Sequence, residues 1–294
     1  MSSSYSPTAE FTDSTTVLAD GDAADATNLN LGAKKALDRA AMLRAATDGL
    51  LVWNGRARVD SGGTNNGNFA VYCPAIEAVS LLDGTTLVAK ALASETQLTS
   101  ASHFGSGTLA ANTVYYVYAY ISASALALQV STDAPGADGI WKTSATGTHR
   151  YLFAFVTDSS GVAIPMTRSS GGVYRYRISA VGLTPVTALS GGTSTSFANI
   201  SLATLIPTTA RLATLYTVCE NSSTSAHGQA QYRTDGDSGG YIEQCAGIAD
   251  ASNNLRDTLV FDLEHASRVI EYRRNNAAGY ASITVSVYVL GWVE

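Results

Sequence analysis

Charge is what this sequence has least of. Of its 294 residues only 14% are Asp, Glu, Lys or Arg, against about 25% in an ordinary soluble domain. Polar surface must come from Ser, Thr, Asn and Gly instead. The low charge argues against long coiled coils, which need charged flanking positions. A charge-rich disordered chain is excluded, because 46% of the residues are hydrophobic and 15 Tyr and 7 Phe need burial. No apolar run reaches the roughly 18 residues of a membrane helix. The longest, Ile283 to Val293, is interrupted by Thr284, Ser286 and Gly291. The opening MSSSYSPTAEFTDS lacks both a basic region and an apolar core, so no secretory signal is read there. The expectation is a protein that acts in the cell that makes it or leaves by lysis.

Cysteine is also scarce. Cys73, Cys219 and Cys245 stand far apart with no CxxC pair and no zinc spacing. They read as reduced thiols, with a Cys219–Cys245 bridge as the alternative. The net charge of −6 and pI near 5.2 oppose nucleic-acid binding, which rests on neutralising phosphates. They oppose binding to anionic membranes for the same reason. Neither nucleic acid nor membrane insertion is expected.

What is present changes period along the chain. Residues 1–27 are polar, small and largely aperiodic, and read as extended. Leu37, Ala40, Ala41, Leu43 and Leu50 then recur at helical spacing among strong helix formers. Asn30 is placed to cap the start of this short helix and Gly49 to stop it. Its Leu37, Ala40, Ala41, Leu43 seam is narrow, so it should pack on something else. From about residue 50 the period is two. The runs FAVYCPAIEAVSLL, TTLVAKALASETQLTSA, TVYYVYAYISASALALQVS and HRYLFAFVTD are strand-like. SGVAIPMTRS and GGVYRYRISAV continue them. Turns are expected at Asp83-Gly84, between Asp133 and Gly139, and from Asp158 to Gly161.

Gly182 to Pro185 with Gly191-Gly192 reads as a linker. After it, strands are expected at Thr195–Ile200, Ala210–Glu220, Ala230–Arg233, Gly240–Ala249, Thr258–Asp262, Ser267–Arg273 and Ala281–Glu294. The fold class is therefore all-β. Two antiparallel β-sandwich or jelly-roll domains, 51–181 and 182–294, follow an N-terminal segment, 1–50, with one short helix.

Few residues suggest chemistry. Gly236-Asp237-Ser238-Gly239-Gly240 resembles the nucleophile string of chymotrypsin-like proteases, and His103 with Asp133 or Asp138 would complete the order His, Asp, Ser. But His103 sits in Ser-His-Phe-Gly, without the following Cys of that family, and Tyr241 stands where Pro is usual. A turn is the better reading. Asp235 and Asp237 start a calcium-loop spacing, but position twelve is Ala246. His103, His149, His227 and His265 form no metal motif. The sequons at Asn199 and Asn221 carry weight only in a secreted protein. No catalytic residue, cofactor or metal is expected. The strand tyrosines suit an ordinary half-exposed sheet, a subunit interface or glycan stacking.

A family resemblance runs through these pieces. Gly21-Asp22, Asn30, Leu37-Asp38-Arg39 and Leu43 resemble the N-terminal attachment segment of tailed-phage tail-fibre and baseplate proteins. Leu29-Asn30-Leu31 and Ala33-Lys34-Lys35 depart from it where Phe and Pro are more usual. Tyr115 to Tyr120, Leu128 to Pro135, Trp141, Arg150-Tyr151-Leu152, Thr157 to Gly161 and Ile164-Pro165 look like a recurrent β module of phage fibres. Arg268 to Tyr272, Ala281 to Val285 and Gly291-Trp292 are similar to trimeric jelly-roll ends of virion proteins. The resemblance implies a non-enzymatic virion structural protein, folded in the host cytoplasm. Such a protein is a homotrimeric tail-fibre or baseplate-associated component that meets other virion proteins through residues 1–50. The alternatives are a capsid decoration or head-fibre protein, or a receptor-binding protein that recognises host-surface glycan.

Overall fold

Two-residue periodicity becomes antiparallel sheet almost throughout the computed structural model. The structure describes residues 56–59, 68–83, 86–104, 108–137, 139–145, 148–169, 171–177, 186–238, 240–246, 253–263, 268–275 and 277–294. The expected N-terminal segment with its helix, and the Gly182 to Pro185 part of the expected linker, lie outside these.

Among the described residues the strands of the N-terminal half are β1 (Ala57–Val59), β2 (Asn68–Cys73), β3 (Ile76–Asp83), β4 (Thr86–Leu92), β5 (Thr96–Thr99), β6 (Val114–Ser122), β7 (Ala125–Ser131), β8 (Arg150–Val156), β9 (Met166–Arg168) and β10 (Val173–Tyr176). Those that follow are β11 (Val186–Gly192), β12 (Ala198–Ser201), β13 (Leu212–Asn221), β14 (Gly228–Thr234), β15 (Ile242–Ala246), β16 (Asn253–Asp262), β17 (Val269–Arg274) and β18 (Ile283–Val293). A single wide helical turn, Ser100–Phe104, follows β5.

The largest sheet runs β16-β13-β18-β10-β9-β1-β2-β5, with β11 also paired to β18. A second sheet is β12-β17-β14-β15, a third is β7-β6-β8, and β3 with β4 forms a hairpin. The chain is thus an all-β sandwich of several antiparallel sheets. The large sheet crosses residue 182: Tyr174 of β10 lies opposite Trp292 of β18, and their rings stack at 4.5 Å. One continuous hydrophobic core takes residues from both sides of that position, among them Val117, Phe153, Leu215 and Val287.

Three sequence expectations change here. The run from Thr113 to Ser131 is two strands, because Ala123 and Ser124 take φ values of 47° and 65° and close a tight hairpin between β6 and β7. Hairpins of this twist usually recruit Asn-Gly. No such signal marks Ala123-Ser124, where pairing with β7 imposes the conformation. Gly191-Gly192 is no linker, since it ends β11 at an irregularity in the β11–β18 register. β16 starts at Asn253, five residues before the expected Thr258.

The Asp158 turn forms as expected. Asp158 Oδ1 accepts the N–H groups of Ser160 at 2.8 Å and Val162 at 2.9 Å, and Gly161 takes φ 74°. β8 is buried along its whole length. Its Arg150, 2% exposed, donates to the Ser80 carbonyl at 2.9 Å and so ties the β3–β4 hairpin to the third sheet.

Gly291 shows how tightly β18 and β10 approach. A Cβ there would fall well inside contact distance of the Tyr174 carbonyl and of Arg175 Cα, all backbone atoms. Gly291→Ala should cost about 1–3 kcal/mol, the usual range for overpacking. Urea unfolding should show a lower midpoint with an unchanged slope, and an unchanged midpoint would contradict this packing.

Candidate functional site

Strand alternation sends the tyrosines of β6 to both faces of its sheet. Tyr115, Val117 and Ala119 enter the main core, while Tyr116 and Tyr118 join Tyr151 and Ala154 of β8 in a second, smaller cluster. A buried phenol needs a partner for its hydroxyl, and here the partners lie mostly in loops. Tyr115 Oη accepts Ala110 N–H at 2.7 Å, and Tyr118 Oη donates to the Asp133 carbonyl at 2.6 Å. Tyr116 Oη lies 3.0 Å from Thr208 Oγ1 and accepts Thr208 N–H at 3.1 Å. Tyr176 donates to the Leu205 carbonyl. The segment from Leu202 to Ala210, which leads into β13, is thereby fastened to strands more than 25 residues earlier. Arg268 holds it from the other side, donating to the carbonyls of Ala203 and Ile206 at 2.6 and 2.7 Å.

Glu294 sits where these ties converge. Its carboxylate accepts from Tyr151 Oη, from Tyr174 Oη at 2.7 Å and from Thr209 Oγ1 at 2.5 Å. Three elements, β8, β10 and the loop before β13, thus meet on one carboxyl group. Arg168, 3% exposed, donates through Nε to Tyr174 Oη at 3.0 Å. Burial holds the Glu294 carboxyl above the usual carboxylate range, against the opposing pull of the three hydroxyls and Arg168. Burial first, then the Glu294 charge, pushes the Tyr151 and Tyr174 phenols well up. These phenols stay protonated donors. The arrangement clamps sheets together, and each of its hydroxyls is already engaged.

A different surface forms on the β12-β17-β14-β15 sheet. Alternation in GQAQYRT places Ala230 and Tyr232 in the core and Gln229, Gln231 and Arg233 on the opposite face. Arg233 pairs with Glu271 at 2.6 Å, and Arg273 donates to Gln231, whose amide donates to Glu243 at 2.8 Å. The Phe197 ring lies 3.8 Å from the Arg233 guanidinium carbon and 4.5 Å from that of Arg273. Tyr241, 51% exposed, lies 5.8 Å from the Arg273 guanidinium carbon. The face is balanced in charge and partly aromatic.

Leu37, Ala40, Ala41 and Leu43 lie outside the described residues. Ser238 is exposed, just after a turn in which Asp237 N–H donates to the Thr234 carbonyl at 3.1 Å and Gly236 takes φ 77°. His103 Nδ1 accepts Thr99 N–H at 2.9 Å, and Asp133 accepts from Ser144 at 2.6 Å. The three stand on separate segments, with His103 in the helical turn after β5, and Asp138 lies outside the described residues. Among those residues no group of three or more His, Cys, Asp or Glu is placed to hold a metal. Burial, reinforced by Glu95, pushes the Cys73 thiol up to about 12, far from a reactive thiolate. The side-chain amide of Asn221 is taken by the Ala226 carbonyl at 2.9 Å. Glu294 and Thr209 had no sequence signal, since no local pattern announces a residue that serves segments 85 to 143 positions away.

No family model matches the sequence, and no curated protein matches it. Among solved structures, a chain of infectious bursal virus derived T=1 particles aligns at 15% identity and a TM-score of 0.19. The alignment covers 81% of this chain but 65% of that one, less than two thirds of its length. A likeness at that level bears on neither fold assignment nor function.

Two outcomes test the site. The folded protein takes up a proton at Glu294 at higher pH than the unfolded chain does, whose value is near the ordinary 4.5. This contribution to stability is therefore complete below about that pH and lost as pH rises through the folded value. Thermal unfolding from acid to neutral pH should show wild type losing stability relative to Glu294→Gln as pH rises, and parallel curves would contradict it. Ser238→Ala should change stability by no more than a few tenths of a kcal/mol, and a fluorophosphonate probe should leave Ser238 unlabelled.

Proposed function

We propose that this chain is a non-enzymatic virion structural protein of a tailed phage, a homotrimeric tail-fibre or baseplate-associated component. The observation that supports the reading best is the convergence of Tyr151, Tyr174 and Thr209 on Glu294. Together with the Tyr116 and Tyr176 ties, it joins segments spread from Tyr116 to Glu294. A projecting body needs that kind of continuity. In this reading residues 1–50 attach the body to other virion proteins, with Leu37, Ala40, Ala41 and Leu43 as the apolar seam. The polar, low-complexity start orders on a large partner surface, offsetting its lost entropy with contacts made there. Placement on the capsid, as a decoration or head-fibre protein, is the alternative within the same class. Recognition of host-surface glycan is a second reading, favoured by the partly aromatic face around Phe197 and Tyr241.

Supplying the protein to particles that lack it tests the attachment. Protein without residues 1–50 should stay folded yet fail to pellet with particles, and replacing Leu37 and Leu43 with Asp should reproduce the loss. Equal recovery of truncated and full-length protein would overturn the assignment. Sedimentation of the full chain should give a trimer, and a stable monomer of about 30 kDa at micromolar concentration would count against it.

A further inference from the structure

Strand β16 stands at the end of the large sheet, hydrogen-bonded to β13 on one side. No strand among the described residues pairs with its other side. Its register with β13 is unbroken from Leu212↔Asp262 to Asn221↔Asn253, and Leu263 N–H donates to the Arg211 carbonyl at 2.7 Å. In an antiparallel ladder this alternation turns the backbone groups of odd-numbered residues toward β13 and those of even-numbered residues away. Arg256, Thr258, Val260 and Asp262 therefore offer N–H and C=O groups to the open edge. Their side chains lie on the outer face, opposite the buried Leu259, Phe261 and Leu263.

A ten-residue edge of this kind is a template for pairing, and proteins normally cover or blunt it. Blunting here is partial. Asp257 Oδ1 accepts Thr258 N–H at 2.7 Å, and Thr234 Oγ1 lies 3.4 Å from the Asp262 carbonyl. The strand also leaves apolar surface open: Val260 is 55% exposed and Leu255 39%.

Charge along the strand selects an occupant. Asp262 is the one acidic residue within β16 that lies on the same face as Arg256. Two antiparallel copies set these residues opposite each other in one register, centred on Leu259. We propose that β16 pairs with β16 of a second copy of this chain about a two-fold axis through Leu259. Arg256 then faces the partner's Asp262 twice, once on each side of the axis. Thr258 faces the partner's Val260, Leu259 the partner's Leu259, and Leu255 the partner's Leu263. The buried apolar row of one copy continues into the next, and the exposed Leu255 gains cover. Thr258 N–H exchanges its Asp257 cap for the partner's Val260 carbonyl. This contact goes beyond the proposed function and does not depend on it.

Sedimentation of the full chain over a concentration series tests the pairing, with Arg256→Asp, Asp262→Arg and the double variant compared. Both substituted positions, Arg256 and Asp262, are exposed, and circular dichroism checks that each variant is folded. Wild type should associate in even multiples: a dimer, or a hexamer where the body itself is trimeric. Each single variant places like charges opposite one another twice and should weaken association about tenfold or more. The double variant should restore it. Hydrogen exchange at the Arg256 and Val260 amides should slow as wild-type concentration rises. A trimer that neither variant alters would overturn the edge pairing and leave the proposed function standing. A dimer broken and restored by charge would support the pairing and overturn the trimer. A monomer throughout would overturn both.

Discussion

A phenol hydroxyl taken out of water must find a partner, and leaving it without one costs about 1–3 kcal/mol. Tyr115, Tyr116, Tyr118, Tyr151, Tyr174, Tyr176 and Tyr232 are all buried, so this constraint acts at many points at once. Its effect is architectural. The ring adds apolar area to a sheet while the hydroxyl selects a loop, so each tyrosine fixes where a connecting segment must lie. Tyr118 positions the Asp133 turn, Tyr116 and Tyr176 position the segment before β13, and Tyr151 and Tyr174 position Glu294. The β7-β6-β8 sheet is covered on both faces for this reason: loops drawn to the hydroxyls lie over what would otherwise be its solvated side.

The low charge of the sequence finds its structural counterpart in the buried polar groups. Thr217, Asn221, Gln229, Gln231, Gln244 and Ser286 are all buried. Gln244 accepts from Tyr232 Oη at 2.8 Å and donates to the Leu255 carbonyl at 3.2 Å, bridging β14 to the inner face of β16. Neutral networks of this sort lose less on desolvation than ion pairs do. They are also little affected by ionic strength. The exposed pair Arg58–Glu95, with both side chains nearly half exposed, adds little beside them.

Much of the fold was legible because strand alternation and turn chemistry are local. The Asp158 turn, the alternation of β6 and the apolar body of β18 follow from neighbours in sequence. What was hidden depends on residues far apart. Nothing near Ala123-Ser124 marks a hairpin, because the positive φ values are imposed by pairing with β7 and β8. Nothing near Val173 announces that β10 will lie against β18, and Gly291 looked like an interruption when it is a position where a Cβ would collide with the β10 backbone. Glu294 carries no local signal until Tyr151, Tyr174 and Thr209 are brought to it. The segment singled out for attachment, Leu37 to Leu43, lies outside the described residues, so its reading still rests on helical spacing and resemblance.

Long-range ties also order the assembly of the sheet. Pairings between distant segments form late, because loop closure must precede the contacts that reward it. β13 lies between β18 and β16, so β16 can dock only after β13 is seated. Its open edge is then one border of the large sheet, with β5 at the other end. The Asp257 cap on Thr258 N–H weakens that border without closing it. Open-ended growth would need two complementary edges per copy that extend in one direction. A contact in which β16 meets only β16 uses the same edge on both copies, satisfies it once and leaves that edge nothing to propagate. The placement of Arg256 and Asp262 three residues either side of Leu259 is what makes the edge complementary to itself, and self-complementarity is what makes it self-limiting.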